Sequence, residues 1–368
     1  VFDAGARIRE YPIPLYLIEG DRQAARQIFF RTNSSGKRLQ WEEVHTALFG
    51  GDETVPATLD ELAGDLEQVG MGRLAKERLL TCLMGLRGLD PTRSLAEHQR
   101  RDPACLEGAV QEALPVLRRV LSFLRSDAGI PHLRLLPMSV LLDVLTRFFN
   151  VHPDPNPRTR TLLARWFWRT VLGAGAFDER TLRRQGIATI DGSEEGSVQH
   201  LLGLLHRDRP RRIDLPSAFD ARSDDNRIVL LTLVHLRPRS LSDGTPVDVP
   251  ALLEKDGKDA FVKIVKGSSA PASRGAANRV VQPKGTAAMR LLHHLASQGE
   301  TACPILISHA VDREAADKLL SGDENAFLAH RQAVLADEVG RFTERMAAWD
   351  SSDRPSVDFL LQEAGAGA

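Results

Sequence analysis

Apolar residues recur along most of the chain at the three-and-four spacing of helices that bury one face. The clearest run is Leu106, Val110, Leu114, Leu117, Leu121 and Leu124. Pro115 inside it predicts a kink, because the ring clashes with the carbonyl four residues earlier. Upstream, Thr58-Leu-Asp-Glu61 has the spacing of a capping box, and Leu74, Leu79, Leu83 and Leu86 continue an apolar face behind it. Pro137 predicts the start of a helix carried by Leu141, Val144, Leu145 and Phe148. After a rigid proline-rich connection at 152–157, Leu162, Leu163, Trp166, Phe167 and Val171 carry the next one, whose aromatic cluster reads as core. The longest predicted helix runs from about Asp323 to Trp349, with Phe327, Leu335, Val339, Phe342, Met346 and Trp349 along one side. At about 1.5 Å per residue it spans roughly 40 Å, enough to cross a whole domain.

Two stretches depart from this pattern. Residues 13–18, Ile-Pro-Leu-Tyr-Leu-Ile, read as one buried strand ending in the turn Glu19-Gly20-Asp21. A helix with Ala24, Ala25, Ile28 and Phe29 on one face follows, and Asn33-Ser-Ser-Gly-Lys37 breaks it before a second helix near Gln40. The other stretch, 228–236, is continuously apolar; periodicity cannot separate strand from helix there, and its leucine content favours helix. A polar, arginine-rich break between His206 and Asp225 predicts a domain boundary, and the Gly-, Ser- and Ala-rich residues 266–277 predict a flexible loop. The fold class expected is therefore mainly α: a small α+β unit over 1–52, a helical domain over 53–210, and a C-terminal helical domain over 211–368.

Composition narrows the picture. With 368 residues, 42% of them hydrophobic, the chain can bury one large core or two ordinary ones. Forty-eight basic residues nearly cancel forty-nine acidic ones, so attraction to nucleic acid needs a local patch. Cys82, Cys105 and Cys303 are few, odd in number and far apart, which points to a reducing compartment and a cytoplasmic location. No apolar run approaches the roughly 20 residues needed to span a bilayer, so no membrane partner is expected. The opening at Val1 reads as an alternative start or as the loss of an N-terminal part.

Chemistry concentrates in Ile28-Phe-Phe-Arg-Thr-Asn-Ser-Ser-Gly-Lys-Arg-Leu39, a helix end followed by a loop. Asn33 and Gly36 tolerate a left-handed backbone, amides there can turn toward an anion, and Arg31 and Lys37 add positive charge. An ordinary helix C-cap with solvated basic residues has the same composition. The order Phe29, Arg31, Asn33, Gly36, Leu39 after a strand resembles the N-terminal domain of GmrSD-type restriction endonucleases, a ParB/sulfiredoxin-like family of bacterial antiviral defence proteins. Arg165-Trp-Phe-Trp-Arg169, preceded by Leu136-Pro137 and Phe148-Phe149, is similar to the helical region that follows that domain.

That family hydrolyses nucleotide around an Asp-Gly-Gln-Gln-Arg motif upstream of the Phe-x-Arg-x-Asn stretch. The motif would fall before Val1, and Glu19-Gly-Asp-Arg-Gln23 lies too close to Phe29 to replace it. The resemblance therefore implies the C-terminal part of a ParB-like domain, N-terminally truncated, with no catalytic residue. Arg31, Asn33, Gly36 and Lys37 are then the rim of a nucleotide or DNA site. A nucleoside triphosphate with Mg would belong to an intact relative, and the partners implied are duplex DNA or another protein. Arg183, Arg184, Arg211 and Arg212 are further DNA-contact candidates, which a solvated helix face and a loop explain equally well.

Many relatives also carry an HNH-type nuclease domain, which needs Glu/Asp-His-x-x-Pro, a loop Asn and a second His at fixed spacing. The C-terminal half has Asn278, His309 and His330 but not the opening motif, so Asn278 and His309 read as loop and helix-cap residues. Two rivals to the defence reading remain: a helical protein-interaction scaffold, and a divergent metal-dependent nuclease centred on His309.

Overall fold

A capping box opens the described chain. Thr58 Oγ1 accepts from the Glu61 amide at 3.2 Å, and Glu61 Oε2 accepts from the Thr58 amide at 3.1 Å. The computed structural model describes residues 58–173, 178–205, 212–267, 271–357 and 359. The expected N-terminal unit, with Arg31, Asn33, Gly36 and Lys37, lies outside the described residues, as does Arg211.

Fourteen α-helices follow one another among the described residues: α1 (Leu59–Glu67), α2 (Lys76–Leu86), α3 (Leu95–Arg101), α4 (Ala109–Ser126), α5 (Leu142–Val151), α6 (Pro157–Leu172), α7 (Glu179–Ala188), α8 (Glu194–Gly203), α9 (Asp224–His235), α10 (Val249–Asp256), α11 (Ala288–Ser297), α12 (Cys303–Ile307), α13 (Arg313–Leu320) and α14 (Glu324–Ala347). Between α10 and α11 a short antiparallel hairpin pairs β1 (Phe261–Lys263) with β2 (Arg279–Val281), placing Phe261 opposite Val281 and Val262 opposite Val280. The protein is mainly α, as the periodicity indicates. No helix among the described residues is long and apolar enough to cross a membrane.

Local details depart from expectation for identifiable reasons. The helix expected at Pro137 starts later, because Met138 takes a left-handed backbone (φ 46°) and a 3₁₀ turn, Ser139–Leu141, precedes α5. α4 runs through Pro115 without interruption. Residues 228–235, by contrast, are helical, inside α9, as their leucine content favours. The Gly/Ser/Ala segment expected to be a flexible loop carries two 3₁₀ turns, Pro271–Ser273 and Ala276–Asn278, with Ala276 and Ala277 buried. Small side chains there permit close packing.

Two apolar cores result, and they do not follow chain order. The larger gathers α1, α2 and α4–α8, then continues across the expected boundary at 211 to take in α9, α10, Phe261 and Val281. The smaller is built from Leu241, Ile264, Val265, Val280, α11 and α13. The hairpin divides them by strand alternation: Phe261 and Val281 face the larger core, while Val280 faces the smaller. α14 spans both, giving Phe327 and Leu328 to the smaller core and Leu335, Val339 and Phe342 to the larger. Trp168 of α6 meets Phe342 edge-on at 5.2 Å between centroids, so the aromatic run Trp166-Phe-Trp168 is core, as expected.

In the larger core, α2 and α5 touch backbone to backbone. A Cβ at Gly85 would lie 2.4 Å from the Asp143 carbonyl oxygen, so only glycine permits the contact. The approach brings buried Asp143 within reach of Thr81, whose hydroxyl donates at 2.7 Å, and of Arg183 from α7, whose Nε donates at 3.0 Å. Gly85→Ala is expected to destabilise the fold by about 2 kcal/mol or more, since the clash is with main chain. Chemical denaturation measures this, and an unchanged midpoint would contradict the close crossing.

Candidate functional site

Arg331 lies on the apolar stripe of α14, four residues after Phe327 and four before Leu335, so helical spacing sends it into the interior. It is fully buried, and each hydrogen bond of its guanidinium goes to a carbonyl oxygen. Nε and Nη2 donate to His309 O at 3.0 and 2.7 Å, and Nη2 also donates to Arg279 O at 2.8 Å. Nη1 donates to Ala277 O and, at 3.4 Å, to Ala276 O. Burial pushes its pKa down to about 9, which leaves it charged at neutral pH.

The residues flagged by sequence gather around this cation. Asn278 closes the hairpin loop by imitating a peptide group: its Oδ1 accepts from the Val265 amide at 2.7 Å, while Nδ2 donates to Val265 O and Ser273 O, both at 2.9 Å. His309 follows α12, and its Nε2 donates to Arg239 O at 2.7 Å. Gln282, which sequence reading passed over, donates from Nε2 to the same carbonyl at 2.7 Å and accepts from the Leu241 amide at 3.2 Å. Burial, then the nearby Arg331 charge, lowers the His309 pKa to about 4 against the opposing pull of the Arg239 carbonyl, so the ring is neutral. With Nε2 given to that carbonyl, the lone pair of the neutral ring is on Nδ1. His330, one residue before Arg331, turns instead to α13, with Nε2 at 3.0 Å from both Asp312 carboxylate oxygens and Nδ1 at 3.4 Å from Glu314. No group of three His, Cys, Asp or Glu that could hold a metal ion occurs among the described residues.

The arginine candidates separate by environment. Arg183 is spent on Asp143, with only 11% of its side chain exposed. Arg184, next on the helix, is exposed; at nearby Asp90 burial raises the carboxyl's pKa, and the Thr92 hydrogen bonds, with Arg93 and Arg184, bring it down on balance. Arg212 is exposed at a cleft of about 510 Å³ that it lines with Leu172, Gly340, Glu344 and Trp349. Cys82, Cys105 and Cys303 are free, and burial pushes the Cys82 thiol far up, which makes it inert.

One nucleophile–base pair went unseen in the sequence. His152 Nε2 lies 3.2 Å from Ser197 Oγ, but the serine is wholly buried and also accepts from the Asp191 amide at 3.1 Å. It fixes a turn, and 45 residues of separation leave no sequence signal for it. Arg331 did carry a signal: a charge on the apolar stripe of a long helix.

Two outcomes are expected. Arg331→Lys should cost about 3 kcal/mol in chemical denaturation, because an ammonium has three donors and no planar fork, leaving buried carbonyls unpaired. Loss below about 1 kcal/mol would mean that the carbonyl cluster is not structural. For His309 the folded pKa lies below the ordinary value of 6.5, so the unfolded chain takes up the proton first as pH falls. Its contribution is full above pH 6.5 and is lost on descending to about 4, a loss of roughly 3 kcal/mol. His309→Gln, which keeps a donor for Arg239 O, should remove that part of the pH dependence; unfolding curves that fall in parallel for both proteins would contradict it. Comparison of the chain with family models, curated proteins and solved structures returns no match.

Proposed function

We propose that the chain is a GmrSD-like bacterial defence protein in which the ParB-like segment supplies nucleotide or DNA contacts and the helical body binds rather than hydrolyses. The observation that carries the second half is the engagement of Asn278 and His309. Asn278 bonds backbone groups through both amide atoms, and the His309 ring is buried beside the Arg331 cation, which disfavours a further positive charge there, whether a metal ion or a ring proton. The first half rests on Phe29, Arg31, Asn33, Gly36 and Leu39, whose order resembles that family. Duplex DNA is the partner proposed, met through the phosphate backbone by Arg31 and Lys37, with exposed Arg184 and Arg212 as additional contacts on the body.

Anisotropy of labelled duplex DNA and of labelled nucleotide tests this on the full chain. Arg31→Ala and Asn33→Ala should weaken binding, and Arg184→Ala or Arg212→Ala should each lower the salt slope by about one without changing sequence preference. Salt-insensitive capture of a protein in the absence of any DNA or nucleotide binding would reject the proposal in favour of a protein-interaction scaffold.

A further inference from the structure

Arg158, Arg165 and Arg169 lie seven and four residues apart on α6, which sets them along one line of the helix over about 16 Å. What meets them is the end of the described chain. α14 stops at Ala347, and Ala348, with φ 45° and ψ 53°, turns the backbone so that residues 349–357 run back across α6 and α8. Arg169 packs over the Trp349 ring at 5.1 Å, with Nε and Nη2 donating to Ala347 O and Ala348 O, both at 2.9 Å. Arg165 Nη1 donates to Asp353 Oδ1 at 3.0 Å and to Ser352 O at 3.2 Å. Arg169 Nη1 holds the other oxygen of the same carboxylate. Arg158 Nη2 donates to Arg354 O.

One carboxylate thus sits in a fork of two guanidiniums, with a third arginine further along the line satisfied by a carbonyl and, at 3.6 Å, by Glu195. Two guanidiniums converging on one strap carboxylate resemble a phosphate-binding arrangement whose oxygens the chain itself supplies, with Arg158 and its Glu195 partner at the far end of the line. Beyond Trp349 the strap is fastened by polar contacts: Gln199 Nε2 donates to Asp353 O at 2.7 Å, and the Ser356 amide and hydroxyl donate to Glu195 at 2.6 and 2.5 Å. Val357 is 71% exposed. Asp353 keeps 24% of its side chain exposed, so an anion with more oxygens arriving at this edge can take the place of its carboxylate. Beside the strap a cleft of about 700 Å³ opens, lined by Arg169, Gln199, Leu202, Trp349, Asp353 and Arg354. It offers an anion room next to the carboxylate that it would replace.

We infer that the α6 arginine line is a phosphate-binding face and that residues 349–357 are a displaceable strap that closes it, Asp353 standing in for a phosphate group. The ligand chemistry is that of linked phosphates, from a nucleotide's polyphosphate or a nucleic-acid backbone. The inference uses no residue of the N-terminal segment, so failure of Arg31→Ala to affect DNA binding would leave it standing.

The probe is inorganic tripolyphosphate, titrated by calorimetry against the full chain and its variants, each checked for an intact thermal transition. Asp353→Asn should bind it about tenfold more tightly than the original protein, because apparent affinity scales with the open fraction. Adding Arg165→Ala to that variant should abolish the gain, and Asp353→Glu should restore the closed behaviour. Glu195→Gln, which loosens the strap at its far end, provides a second opening variant should Asp353→Asn fold poorly. Parallel titrations with ATP and with a short duplex separate the sources: gain for ATP alone marks a nucleotide site, and salt-dependent gain for the duplex marks a nucleic-acid backbone. If neither opening variant binds tripolyphosphate more tightly than the original protein, the inference is overturned.

Discussion

The buried guanidinium of Arg331 is the constraint around which the C-terminal half is arranged. A cation removed from water must be given acceptors, and here carbonyl oxygens from residues 276, 277, 279 and 309 provide them. The hairpin loop and the turn after α12 can each supply those oxygens only in one conformation. Asn278 fixes the first by pairing with Val265, and His309 and Gln282 fix the second through Arg239 O. Arg331 sits on α14 between the residues given to the smaller core and those given to the larger, so the same cation holds both cores to one helix.

Three ionic centres in this protein differ in how their charge is compensated, and that difference separates scaffold from candidate site. Asp143 and Arg183 form a buried pair, with burial pushing the carboxyl's pKa up and the arginine opposing it. Such a pair locks α5 to α7, because losing either partner strands the other in the interior. Among the described residues, Arg331 is compensated by carbonyl dipoles and has no carboxylate partner to exchange. The Asp353 fork is partly exposed, so its carboxylate can leave for solvent when a stronger anion arrives. Of these three, the Asp353 fork is the one with an exposed carboxylate edge and a cleft beside it.

The same logic explains why the candidate nuclease residues lie together. An HNH-type centre needs a histidine free to take a proton and donors aimed at a metal. His309 points Nε2 at Arg239 O beside the Arg331 charge, and Asn278 turns both amide atoms to main chain. Their closeness comes from a shared role in enclosing Arg331.

Much of the fold was legible in the sequence because helices announce themselves locally. The Thr58 capping box, the apolar stripes of α4 and α14, and the core aromatics of α6 depend on residues three or four apart, and each appears where the spacing puts it. The start of α5 and the packed turns at 271–278 were not legible, since a left-handed Met138 and buried alanines reflect neighbours distant in sequence. Nor was the site: Asp353 meets Arg165 and Arg169 across more than 180 residues, and Arg183 meets Asp143 across 40. Sequence by itself determined the helical class and which faces are apolar, because both follow from local periodicity. Tertiary structure alone decided which charges are buried and which are paired, because those depend on how far each group is taken from water by chain that arrives from elsewhere.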